Sequence, residues 1–183
     1  YQNLPLWSFS QFSQYNIEEL SKKLGLVNED LEKYRRKVNA DPANALAHFE
    51  YGKALYSAGK IDEATGELSA SLAIDPKHSY GHFLLGEAYR HRGETDKAIQ
   101  QWKDTLNLDP RDLNAVLSLG KIYLDRGMLD EAESVLKSAA AMYQENTVAH
   151  LFLGRVLRNL GKTDEAMEHW QRVVALNPQC AEG

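Results

Sequence analysis

Residues 79–112 read SYGHFLLGEAYRHRGETDKAIQQWKDTLNLDPRD, and this stretch decides the fold. His82, Leu85, Gly86 and Tyr89, and then Ala98 and Trp102, stand at the three- and four-residue spacings of a helix face, with Gly93 between the two groups. The stretch therefore reads as two helices joined at a glycine. Stepping outward by 34 residues returns the same landmarks. Gly86 belongs to the series Gly52, Gly86, Gly120 and Gly154, and Gly93 to the series Gly59, Gly93, Gly127 and Gly161. Ala98 belongs to Ala64, Ala98, Ala132 and Ala166. Pro42, Pro76, Pro110 and Pro178 keep the same register, and Gln144 fills the one vacant proline place. Three residue types in one register make an internal repeat.

Each period carries its own punctuation. The glycine ending the first helix suits a left-handed C-cap, a conformation that costs other residues steric energy. Asp62, Asp96, Asp130 and Asp164 follow a few residues later and are expected at the N-cap of the second helix. Glu133, three residues after Asp130, would complete a capping box in that repeat. The Asp-Pro pairs at 41–42, 75–76 and 109–110 should end the second helices, because proline lacks the N–H and crowds the preceding turn. The inner glycine and alanine let the paired helices approach closely.

With these residues the chain resembles the tetratricopeptide-repeat (TPR) family, whose pattern is W-x2-L-G-x2-Y, then A-x3-F, then P. It appears as His48, Tyr51-Gly52, Leu55, Ala64, Leu68 and Pro76, and next as His82, Leu85-Gly86, Tyr89, Ala98, Trp102 and Pro110. The third copy has Val116, Leu119-Gly120, Tyr123, Ala132 and Leu136; the fourth has His150, Leu153-Gly154, Leu157, Ala166, Trp170 and Pro178. The first-position tryptophan is absent throughout. The repeats span 45–78, 79–112, 113–146 and 147–180, preceded at 11–44 by a degenerate copy or an ordinary helical cap. In that copy Leu31, Tyr34 and Val38 form a stripe able to cover the first full repeat. Residues 1–10 should be extended, because Pro5 opposes an early helix. Residues 1–17 carry no charge and five aromatics, so Leu4 to Phe9 are expected to pack on repeat helices of their own or a neighbouring molecule. The resemblance implies an all-α, right-handed superhelical solenoid, with Trp102 and Trp170 at the buried large-residue place.

Lys and Arg total 21 against 26 Asp and Glu, a formal charge of −5, so a protein that coats nucleic acid is not expected. The single cysteine, Cys180, cannot form an internal disulfide. There is no run of 18 apolar residues that would span a membrane. The chain starts at Tyr1, and a soluble domain released from a membrane-anchored or larger parent is the expectation. No nucleophile, base or phosphate-binding loop is recognisable, so neither catalysis nor a cofactor is expected. His48, His82 and His150 recur at one repeat position, too far apart to share a metal, and read as packing residues.

The resemblance implies function as a non-enzymatic scaffold whose concave side holds an extended or helical segment of a protein partner. The groove residues would be Phe49, Lys53 and Tyr56 in repeat one and Tyr80, Phe83, Glu87 and Arg90 in repeat two. Asn114, Leu117 and Lys121 would follow in repeat three, and Leu151, Arg155 and Arg158 in repeat four. Leu46, His91, Leu124, Asp125, Val148 and Asn159 lie on the same faces. The early groove is aromatic and the late groove basic, so a partner with apolar and acidic residues is expected. The Lys-Asn-Asn-Lys-Arg carboxylate clamp of chaperone-cofactor TPRs falls here on Phe49, Lys53, Leu84, Asn114 and Ser118, which cannot reproduce it. The competing expectation is a self-assembly module that oligomerises through the groove or the C-terminal end.

Overall fold

The computed structural model describes residues 29–177. The expected aromatic segment, the first helix of the degenerate copy, Pro178 and Cys180 lie outside the described residues. Within them all regular structure is helical: α1 over 29–40, α2 Ala45–Ser57, α3 Ile61–Ile74, α4 Ser79–His91, α5 Thr95–Leu108, α6 Leu113–Asp125, α7 Leu129–Met142, α8 Thr147–Asn159 and α9 Thr163–Leu176. The chain is an all-α helical-repeat solenoid that divides into two units, Tyr1–Asp75 and Pro76–Gly183.

In the first unit α2 and α3 form a helical hairpin. Leu31 and Val38 of α1 are buried with Ala47, Tyr51 and Leu55 of α2 and Ala64 of α3, with Tyr34 packed alongside. Lys37 adds a 2.8 Å ion pair to Glu50. In the second unit the hairpins are α4–α5, α6–α7 and α8–α9, and α5 packs on α6 as α7 packs on α8. One core cluster runs through Trp102, Leu119, Leu136, Leu153 and Leu157. Trp102 is fully buried, whereas Trp170 at the equivalent place on α9 is only half-buried, contrary to the expectation for it.

The inner glycines work through space. A Cβ on Gly52 would meet Leu68 at 2.8 Å, and one on Gly86 would meet Nε1 of Trp102 at 2.5 Å. Gly120 faces Leu136, and Gly154 faces Trp170, in the same way. Gly59, Gly93, Gly127 and Gly161 work instead through the backbone, with φ between 71 and 78°. Each closes a Schellman motif: Gly59 N–H donates to Tyr56 O at 3.0 Å and Lys60 N–H to Leu55 O at 2.9 Å. A Cβ at Gly127 would meet nothing within 4 Å. Gly127→Ala is therefore expected to cost about 1–2 kcal/mol from left-handed backbone strain alone. A urea unfolding midpoint equal to that of the parent would contradict this.

Asp62, Asp96, Asp130 and Asp164 are not caps. The N-caps of α3, α5, α7 and α9 are Lys60, Glu94, Met128 and Lys162, none with a side-chain capping bond. Each of these residues is also the last of its Schellman motif, so the next helix begins immediately and the aspartate falls at its second position. There it still complements the positive end of the helix dipole. The expected capping box at Glu133 is absent for the same reason. Glu133 instead takes ion pairs from Lys137 and Lys162, each at 2.7 Å. These hydrogen bonds, Lys137's first, hold its carboxyl below the ordinary range. Side-chain caps occur on α2, α6 and α8, where Asn44, Asp112 and Asn146 accept from the N–H of Ala47, Ala115 and Ala149 at 3.0, 2.8 and 2.9 Å. The Asp-Pro pairs follow the ends of α1, α3 and α5. Without a proline, α7 ends at Met142, and the Tyr143 hydroxyl donates to the Arg111 carbonyl.

Candidate functional site

Within the second unit the first helices of the three hairpins adjoin one another. The Ser118 hydroxyl of α6 donates to Glu87 of α4 at 3.2 Å, and α6 packs against α8. Helical periodicity brings the residues three and four apart on each of them to one outward face. On α4 the Tyr80 and Phe83 rings stack with centroids 6.1 Å apart, Tyr80 exposed and Phe83 half-buried. Asn114 and Lys121 of α6 are exposed, with Leu117 half-buried between them. Leu151, Arg155 and Arg158 of α8 are exposed, as is Val148.

The charges on this surface are not equivalent. Arg90 clasps Glu87 through Nε and Nη2 at 3.1 and 2.8 Å, and with the Ser118 bond this neutralises the one expected acidic residue of α4. The guanidinium of Arg158 lies 5.9 Å from the centre of the Trp170 ring and so spans α8 and α9. Among the described residues no carboxylate is paired with Lys121 or Arg155. The surface therefore carries stacked aromatics at one end and net positive charge at the other.

In the first unit Lys53 is exposed and Tyr56 half-buried against the Leu31–Leu55 cluster. Phe49, expected on the groove, is 7% exposed and belongs to the core. Leu151, at the equivalent place on α8, is 42% exposed. The difference lies in what packs around the position, which the residue type does not reveal. Leu124 is likewise buried.

The recurring histidines fasten three of the four described hairpins, α2–α3, α4–α5 and α8–α9, to the loop before each. Nε2 of His48, His82 and His150 donates to the carbonyls of Pro42, Pro76 and Gln144, each at 3.1 Å. Nδ1 then faces the second helix of the pair: Glu67 at 2.7 Å, Gln101 at 2.8 Å and His169 at 2.9 Å. This Nδ1 partnership, 19 residues along the chain, has a signal in the sequence, Glu67, Gln101 and His169 at one repeat position. In the neutral pair His169 Nδ1–H donates to His150. Burial above all, and then His150 beside it, pulls the pKa of His169 below 6.5, against the opposing pull of Glu168 and Glu165 and with Lys137 of α7 adding to the lowering. The unfolded chain thus binds a proton more readily than the native one. The contribution of the lowered His169 pKa to stability is complete above the ordinary histidine range and falls as the pH drops through about 6.5 toward the native value. His169→Gln, which installs the pair found in repeat two, is expected to remove that loss in urea titrations between pH 8 and pH 5, values on either side of about 6.5. An unaltered pH dependence in the variant would contradict the assignment. Among the described residues no group of three or more His, Cys, Asp or Glu could hold a metal ion, and no helix is long and apolar enough to cross a membrane.

Family models described as tetratricopeptide repeat match residues 29–79, 68–100 and 123–183, and one described as TPR repeat matches residues 86–127. No curated protein matches the chain. Among solved structures the chain is similar to the crystal structure of MamA, with TM-score 0.80 and 20% identity over 88% of this chain and 95% of that one. A MamA structure, residues 41 to the end, from Desulfovibrio magneticus RS-1 aligns with TM-score 0.76 and 19% identity over 90% and 93% of the two chains. YrrB, described as a TPR protein with an unusual peptide-binding site, aligns with TM-score 0.73 and 18% identity over 81% and 76%. At these identities the likeness is one of fold.

Proposed function

The chain is a tetratricopeptide-repeat protein, and from that premise we propose that it is a non-enzymatic scaffold that captures a segment of another protein on the exposed faces of α4, α6 and α8. The captured segment is extended or helical, apolar where it meets Tyr80 and Phe83 and acidic where it meets Lys121, Arg155 and Arg158. The observation that carries this reading is the sorting of charge on one surface. Glu87 is neutralised by Arg90 and Ser118, while Lys121 and Arg155 have no paired carboxylate among the described residues. An acidic segment gains charge-assisted hydrogen bonds there without breaking existing ones. Apolar contact with Leu117 and Leu151 adds affinity through buried area. YrrB, of like fold, is described as having a peptide-binding site, which is consistent with this use of the fold. Lys53 and Tyr56 stand at matching places on α2 and are proposed as a second, separate contact.

Selection of peptides from a random library against the full chain tests the proposal. Enrichment of sequences pairing Asp or Glu with aromatic or aliphatic residues is expected, with affinities that fall as salt rises. Enrichment of basic peptides would contradict it.

A second reading, self-assembly through the C-terminal pair, is favoured by one observation: Met167 and Val174 of α9 are 50% and 44% exposed.

A further inference from the structure

In the second unit the apolar stripes of α5 and α7 are covered by the first helix of the following pair. Ile99 of α5 and Ala140 of α7 are 9% and 6% exposed, packed where α6 adjoins α5 and α8 adjoins α7. The residues in the same repeat register on α9 are Met167 and Val174, and both are open. With Trp170, Gln171 and Ala175 they line an apolar hollow of about 410 Å³. This stripe has no partner among the described residues.

The order of residues along α9 says what fits it. The helix begins with Asp164, Glu165 and Glu168 and carries Arg172 one turn after Glu168, so it is acidic first and basic later. Reversed end for end, the same sequence brings Arg172 of one copy to the level of Glu168 of the other. Met167 and Val174 are placed symmetrically about the midpoint between Trp170 and Gln171. Antiparallel alignment also sets the two helix dipoles in opposition, the favourable arrangement. We propose that α9 docks antiparallel on α9 of a second copy of this chain, about a two-fold axis beside Trp170 and Gln171. Met167 of each copy then packs on Val174 of the other, and Glu168 of each faces Arg172 of the other. Such an isologous contact uses one patch twice and closes on itself, so it makes a dimer and not a fibre. It rests on the self-assembly reading and specifies the surface, the partner and the direction.

Sedimentation velocity of the full chain over a wide concentration range tests it. The expected result is a shift from 20.7 kDa to twice that mass. Val174→Glu and, independently, Met167→Glu should each raise the dissociation constant at least about tenfold while leaving helical circular dichroism unchanged, because a carboxylate is desolvated at the contact. Glu168→Arg and Arg172→Glu should each weaken the dimer, and the two together should restore it. A monomer at every concentration would overturn both the proposal and the self-assembly reading, with the stripe left open or covered by the chain's own remaining residues. An oligomer indifferent to Val174→Glu and Met167→Glu would overturn the α9 contact alone and leave self-assembly through another surface. Failure of the double charge exchange to restore association would overturn the antiparallel arrangement.

Discussion

Trp102→Ala is expected to destabilise the second unit by about 3–5 kcal/mol, the range for truncating a buried aromatic. Trp102 is fully buried in the cluster shared by α5, α6 and α7. Its ring lies against Gly86 so closely that an added Cβ would stand 2.5 Å from Nε1. The two positions are therefore coupled. Gly86→Ala should cost about 1–3 kcal/mol by overpacking in the parent and much less in the Trp102→Ala background, where the space has opened. The indole N–H has no acceptor among the described residues. Trp102→Phe should accordingly cost less than Trp102→Ala, since no hydrogen bond is lost with the ring nitrogen. Denaturant unfolding followed by helical ellipticity measures all three. Additive losses for Gly86→Ala and Trp102→Ala would show that the helices do not meet at this pair.

The second large effect is on binding. Lys121→Glu together with Arg155→Glu should weaken an acidic peptide about 10–100-fold, because two attractions become repulsions at a partly desolvated surface. Both side chains are exposed and neither is paired with a carboxylate among the described residues, so helicity and unfolding midpoint should be unchanged. Arg158 is the poorer choice, since its stacking on Trp170 means that reversal there also loosens α9. Isothermal titration with a library-selected peptide reads the change. Equal affinity for parent and double variant would remove the basic end of the surface from the account.

The hairpin architecture was legible because two separate physical demands recur at the same interval. Gly59 and its counterparts answer a need for positive φ, and Gly52 and its counterparts answer a need for close approach, so neither series tolerates drift. The misplaced aspartates show where pattern reading fails. Asp62 has the residue type and neighbourhood of an N-cap, yet Lys60 ends one motif and starts the next helix at once, which shifts the aspartate inside. Sequence spacing does not show that one residue can serve both purposes. Of the candidate surface, its helix faces and charges were legible, but the depth of each residue was not. Phe49 and Leu151 share a repeat position and differ between buried and open, and the Glu87–Ser118 bond joins residues 31 apart that no local pattern connects.

If the exposed faces of α4, α6 and α8 do the binding, a bound segment leaves its trace on them. The measurement that reaches it most directly is the NMR footprint of a library-selected peptide on the isotopically labelled chain. Amide and methyl shift changes are expected to concentrate at Phe83, Asn114, Leu117, Lys121, Leu151 and Arg155, with α5 and α7 nearly silent. A footprint concentrated on α5 and α7, with those residues unmoved, would contradict binding on these faces.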